Sequence, residues 1–120
     1  MFKRKLVSIK QFALPFKIDA LDFSQGRNEN FSDQLVEFAK TRVSIGFAQH
    51  KTLTETTNFI RQELEDREEG RWMCLFLPHD VKYSLSLSKY RYLTLSFMRK
   101  EYKYWVILMQ TELEEENRNQ

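Results

Sequence analysis

The side chains that could do chemistry in this chain are few. Its two histidines are His50 and His79, and its one cysteine is Cys74. His79-Asp80 with Ser84 close behind holds the three residue types of a hydrolytic triad. A triad also needs an oriented nucleophile and an oxyanion hole, and no glycine-rich elbow accompanies Ser84. The stretch reads instead as a solvated turn. The histidines stand 29 positions apart with no ligand spacing around either. Cys74 alternates with Trp72 and Phe76, the pattern of a small buried hydrophobe. A lone cysteine allows neither an internal disulfide nor a thiolate zinc site, which suits a reducing, intracellular compartment. There is no phosphate-binding glycine loop and no EF-hand ligand series. Glu63, Glu65, Asp66, Glu68 and Glu69 form an acidic cluster that reads as a hydrated helix end. The expectation is a protein without catalysis, cofactor or metal.

The elements that carry these residues have the makings of one domain. The chain has 120 residues, 42% hydrophobic and 14% aromatic, enough for a packed core. Ten Phe, five Tyr and two Trp stand against three Gly and two Pro, which favours long regular elements. The net charge of +2 is too small to imply nucleic-acid binding, but it is unevenly spread. Lys3, Arg4, Lys5, Lys10 and Lys17 open the chain without an acid, while Glu112, Glu114, Glu115 and Glu116 crowd its end against Arg118. No apolar run approaches the roughly 18 residues of a membrane span. Lys10 and Gln11 break what would otherwise be a secretory apolar region. A mitochondrial presequence is the less favoured reading of the basic start, since that stretch is not strongly amphipathic.

Segment by segment, "FKIDALDF" (16–23) is the better candidate for a first strand, and "SQGRNEN" (24–30) reads as a polar loop. Phe31, Leu35, Phe38, Ala39 and Val43 make one apolar stripe, predicting a helix over 31–47 capped by Asn30 and weakened at Gly46. Thr52-Leu53-Thr54-Glu55 fits a capping box for a second helix. Leu53, Thr56, Ile60 and Leu64 form its buried stripe, Glu63 and Arg67 an outer i,i+4 pair, and Gly70 its stop. Beyond Gly70 the period changes to two. "RWMCLFL" is apolar on both faces, as in a central strand. Val81, Tyr83, Leu85 and Leu87 alternate with Lys82, Ser84 and Ser86, a ribbon with one buried and one polar face, characteristic of a sheet edge. Strands over 90–98 and 104–111 follow, separated by Arg99-Lys100-Glu101. The predicted class is α+β: two helices packed on an antiparallel β-sheet, in the order (β)ααββββ, with strand exchange in a dimer open to it. The expected division is an N-terminal extension with a first strand (1–30), a domain (31–111) and an acidic tail (112–120).

From the second helix onward the chain resembles the dynein light chains of the eight-kilodalton class. "FIRQELEDREEGRWMCLFL" is similar to that family's second helix, basic linker and strand opening Trp-x-Cys, with Ile60, Glu63, Trp72 and Cys74 in matching spacing. "VEFA" (36–39) is similar to its first helix and "YWVILMQT" to its last strand, so the likeness spans about 31–111. The resemblance implies a symmetric dimer without catalysis or cofactor, whose third strand joins the partner's sheet and borders a groove for extended peptides. On this chain that strand is Val81, Lys82, Tyr83, Ser84, Leu85, Ser86 and Leu87. Met73 and Tyr83 would sit at the subunit contact and Thr54 at the helix-two contact. Met73 stands where the family has a histidine, Thr54 where it has a lysine, Leu85 and Ser86 where it has threonine and histidine, and Asp80-Val81 where it has Phe-Gly. Without that histidine, the family's pH-sensitive dimer is not expected.

The resulting expectation is an adaptor that holds an extended partner segment by β-strand addition in a cytoskeletal motor complex. Its partners would be proteins, a dynein intermediate-chain-like segment or another light chain, in a homo- or heterodimer without nucleic acid or membrane. Its place would be the cytoplasm and cytoskeleton, the ciliary axoneme included. Two other readings stand beside it: a structural subunit that pairs with a different light chain, and a single-strand nucleic-acid binder using Lys89, Tyr90, Arg91 and Tyr92.

Overall fold

Two capped helices and the core they bury set the architecture. The computed structural model describes residues 13–77 and 90–112. The first helix, α1, runs Asp33–Gln49, and the Ser32 hydroxyl accepts the Leu35 N–H at 3.2 Å. It therefore starts two residues later than the apolar stripe suggests. Phe31 is instead spent on a turn, its N–H donating to the Asn28 carbonyl at 3.1 Å while its ring sits edge-on to Trp72 at 6.0 Å. Helix α2 runs Leu53–Arg67. The Thr52 hydroxyl accepts the Glu55 N–H and is within 3.1 Å of the Glu55 carboxylate, so one arm of the expected capping box is present. Thr56, Ile60 and Leu64 of the expected stripe are buried, and Leu53, its first residue, is half-buried against the core.

The helices meet at Gly46. A Cβ there would lie 3.1 Å from a Phe59 ring carbon and 3.3 Å from Ile60 Cγ1, so glycine permits the close approach and the helix continues past it. The expected Glu63–Arg67 pair does not form. Glu63 reaches across to Arg42 on α1 at 3.2 Å, and the Arg42 and Arg67 guanidinium groups flank the Phe38 ring at 4.8 and 4.5 Å. A ring face on the neighbouring helix outcompetes an exposed ion pair worth a few tenths of a kcal/mol (about 0.3–0.5).

Gly70, at φ 88, turns the chain into the sheet. Its strands are β1 (Ser24–Arg27), β2 (Arg71–Leu77), β3 (Tyr92–Arg99) and β4 (Tyr102–Glu112), all antiparallel, in the order β1-β3-β4-β2. Both helices cover one face, so the class is α+β with helices packed on an antiparallel sheet. The core combines Leu35, Val43, Phe47, Ile60 and Leu64 with Trp72, Leu93, Leu95, Phe97, Tyr104, Val106 and Leu108.

The first-strand expectation needs correction. The first strand falls on Ser24–Arg27, inside the segment read as a loop. Residues 16–23, read as a strand, are extended chain and a short 3-10 turn at Ala20–Asp22, capped by Asp19. Their apolar residues pack without pairing: Phe16 lies 5.4 Å from Phe47 and donates its N–H to the Phe47 carbonyl, and Phe23 meets Phe97 edge-on at 5.8 Å. Among the described residues strand β2, read as central, has a neighbour on one flank only, while β3 and β4 have neighbours on both. Burial on both faces explains an apolar run as well as central placement does.

Candidate partner-binding edge

Strand β2 pairs along its whole length with β4, from Arg71 opposite Glu112 to Leu77 opposite Trp105. Among the described residues it has no strand on its other flank. Its side chains divide by parity. Trp72, Cys74 and Phe76 face the helices, and Phe76 stacks on Tyr104 at 5.6 Å. Burial pushes the Cys74 thiol up to about 12, the environment of an inert cysteine. Met73, Leu75 and Leu77 take the opposite face, half-buried, in register with Met109, Ile107 and Trp105. That outer face is therefore apolar across both strands.

The chain leaves this site at Leu77 and returns at Tyr90, and the return is held from several sides. The Asn28 side chain donates to the Tyr90 carbonyl at 3.1 Å and accepts the Tyr92 N–H at 3.0 Å. Between them, the Arg91 carbonyl accepts the Gln110 N–H at 2.9 Å. The Arg91 guanidinium donates to Glu68 at 2.6 Å and to the Gln110 side-chain oxygen at 3.2 Å, and lies 5.2 Å from the Trp72 ring. Gln110, 1% exposed, completes its bonding by donating to the Glu69 carbonyl at 3.0 Å. Glu65 accepts the Trp72 N–H at 2.9 Å and pairs with Arg61 at the same distance. Two acids of the cluster, Glu65 and Glu68, thus latch α2 to the sheet, while Glu63 reaches the first helix and Asp66 accepts from Gln62 within α2. Arg91 is 23 residues from Glu68, so nothing local in the sequence could reveal this. The nucleic-acid reading also loses its chief cation, since Arg91 is committed to carboxylate, amide and ring.

Of the residues singled out from sequence, Met73 lies on the outer face of β2, half-buried. Thr54 is exposed in the first turn of α2, its carbonyl accepting the Thr57 hydroxyl at 3.3 Å. Val81, Lys82, Tyr83, Ser84, Leu85, Ser86 and Leu87 lie outside the described residues, as do His79 and the tail beyond Glu112. His50 caps α1, its N–H donating to the Gly46 carbonyl and its ring lying 5.1 Å from Phe59. Among the described residues no cluster of His, Cys, Asp or Glu could hold a metal ion, and no helix is long and apolar enough to cross a membrane. No model of a known protein family matches the chain, and no curated protein matches it.

Proposed function

We propose that the chain is a non-catalytic adaptor of the kind its sequence resembles, an eight-kilodalton dynein-light-chain-like module. In this reading the segment 81–87 that follows β2 pairs with a second polypeptide and extends the sheet beside β2, within a microtubule-based motor or ciliary assembly. The observation that carries the reading is the placement of β2: a seven-residue, apolar strand at one side of the sheet order, followed at once by the alternating segment 81–87. Exposed strand flanks offer unpaired backbone donors and acceptors, and a partner that adds a strand gains affinity from the main chain and specificity from alternate side chains. Met73, Leu75 and Leu77 supply apolar surface on one side of such an added strand.

Light scattering on the purified chain tests the assembly. A stable dimer supports strand addition between copies; a monomer that becomes a 1:1 complex only with another light chain supports the heteromeric form. A synthetic peptide with the sequence of an extended intermediate-chain segment tests the docking role. Leu85→Pro removes one ladder donor and is expected to abolish peptide capture with unchanged circular dichroism. A folded Leu85→Pro protein with undiminished affinity contradicts the reading.

A further inference from the structure

The tip of the β3–β4 hairpin carries basic charge without a carboxylate partner among the described residues. Lys100, at φ 60, and Glu101 form the two-residue connection between Arg99 and Tyr102. Around it stand Arg99, Lys100, Lys103 and, one residue beyond Phe16, Lys17. Among the described residues none of these four has a carboxylate partner, whereas Arg61, Arg67 and Arg91 at the other end of the sheet each have one. Arg99 lies 3.9 Å from the Phe16 ring centre and Lys103 4.8 Å from that of Trp105, so both cations are held in place by aromatic faces. The acid next to Lys17 that does appear, Asp19, accepts the Leu21 N–H at 2.9 Å. Beside Lys103 and Trp105 runs an open groove of about 300 Å³ lined by Ser24, Gly26, Thr94 and Ser96, and Met98, 62% exposed, shares the Lys103 face.

The chain also contains the complementary charge. The run Glu112-Leu113-Glu114-Glu115-Glu116 begins at the opposite end of β4. Ten strand steps from Tyr102 to Glu112 span roughly 34 Å. Four residues past Glu112 reach back roughly 14 Å at most. The acidic run therefore cannot meet the basic tip of its own sheet.

We infer that the basic hairpin tip is the docking site for the acidic run of a second copy of this chain, in an arrangement that sets the two sheets side by side in opposite directions. This inference deepens the proposed self-association and rests on it for its biological setting. It assigns electrostatics to orientation and encounter rate and leaves the strand flank to supply the lasting contact.

The test uses the whole chain and a synthetic peptide of residues 110–120, followed by amide NMR at low salt. The expected result is a set of shifts centred on Lys100, Lys103 and Trp105. Affinity should fall at least about tenfold in Lys100→Glu/Lys103→Glu, and again in about 0.5 M salt, where the screening length drops to roughly 4 Å. Shifts elsewhere, no shifts, or an affinity unchanged by the double reversal overturn the inference whether or not the chain dimerises. Leu85→Pro run in parallel separates the two ideas: loss of the dimer with the peptide still bound leaves the tip site standing, and the converse removes only the tip site.

Discussion

The two ends of the sheet are built on opposite principles. At the Arg91 end the guanidinium, Glu68, Gln110, Glu69 and Trp72 satisfy one another, and Asn28 stitches the returning chain on both sides. At the hairpin end Lys100 and Lys103 are exposed, and neither has a carboxylate partner among the described residues. Charge at the first end closes the fold; charge at the second has no such role among the described residues. The difference separates residues whose loss the domain should feel from residues whose loss, in the proposed association, only a partner should feel.

Substitution can break that comparison, and the largest stability effect belongs to the first end. Arg91→Ala strips a charged hydrogen-bond partner from half-buried Glu68 and from Gln110, and is expected to cost about 2–3 kcal/mol in urea unfolding. Gln110→Leu keeps the volume but leaves the Glu69 carbonyl and Arg91 Nε without their partner, at about 1–3 kcal/mol. Thr52→Ala removes the α2 cap for about 1 kcal/mol. Lys100→Ala, at the other end, should change unfolding by less than about 0.5 kcal/mol. An Arg91→Ala protein as stable as the parent, or a Lys100→Ala protein markedly weaker, would erase the distinction.

Titration sharpens it further. Burial raises the Cys74 thiol to about 12. The folded state thus favours the neutral thiol, and the associated stability is present below the unfolded thiol value of about 8.5 and lost as pH climbs toward 12. Disulfide reagents at pH 8 should label Cys74 at the global unfolding rate, and rapid labelling of the native chain would contradict its placement against the core.

Sequence pattern made much of this fold legible. Helix α2 carried its own cap and a three-residue buried stripe, and β4 its aliphatic run between charges. β1 was illegible because all four of its residues are exposed, so no alternation marks it and only pairing with β3 defines it. Residues 16–23 misled because Phe16 and Phe23 are apolar for packing, not for pairing. β2 reads as central because Met73, Leu75 and Leu77 are as apolar as the core-facing set, and position in a sheet is a long-range property that its own residues do not carry. The latch was hidden for the same reason: its acids are local to α2, but Arg91 and Gln110 arrive from other strands. Of the candidate site, the strand that bears Met73 was legible in the sequence, while the polar ribbon 81–87 lies outside the described residues.

Hydrogen exchange of the β2 amides on the flank away from β4, followed across protein concentration, tests the completed sheet most directly. Completion by another chain predicts that these amides exchange quickly in dilute monomer and gain at least about tenfold protection as the partner binds, with the β3 and β4 amides unchanged. Full protection in the monomer, or fast exchange that never responds to concentration or partner, would contradict it.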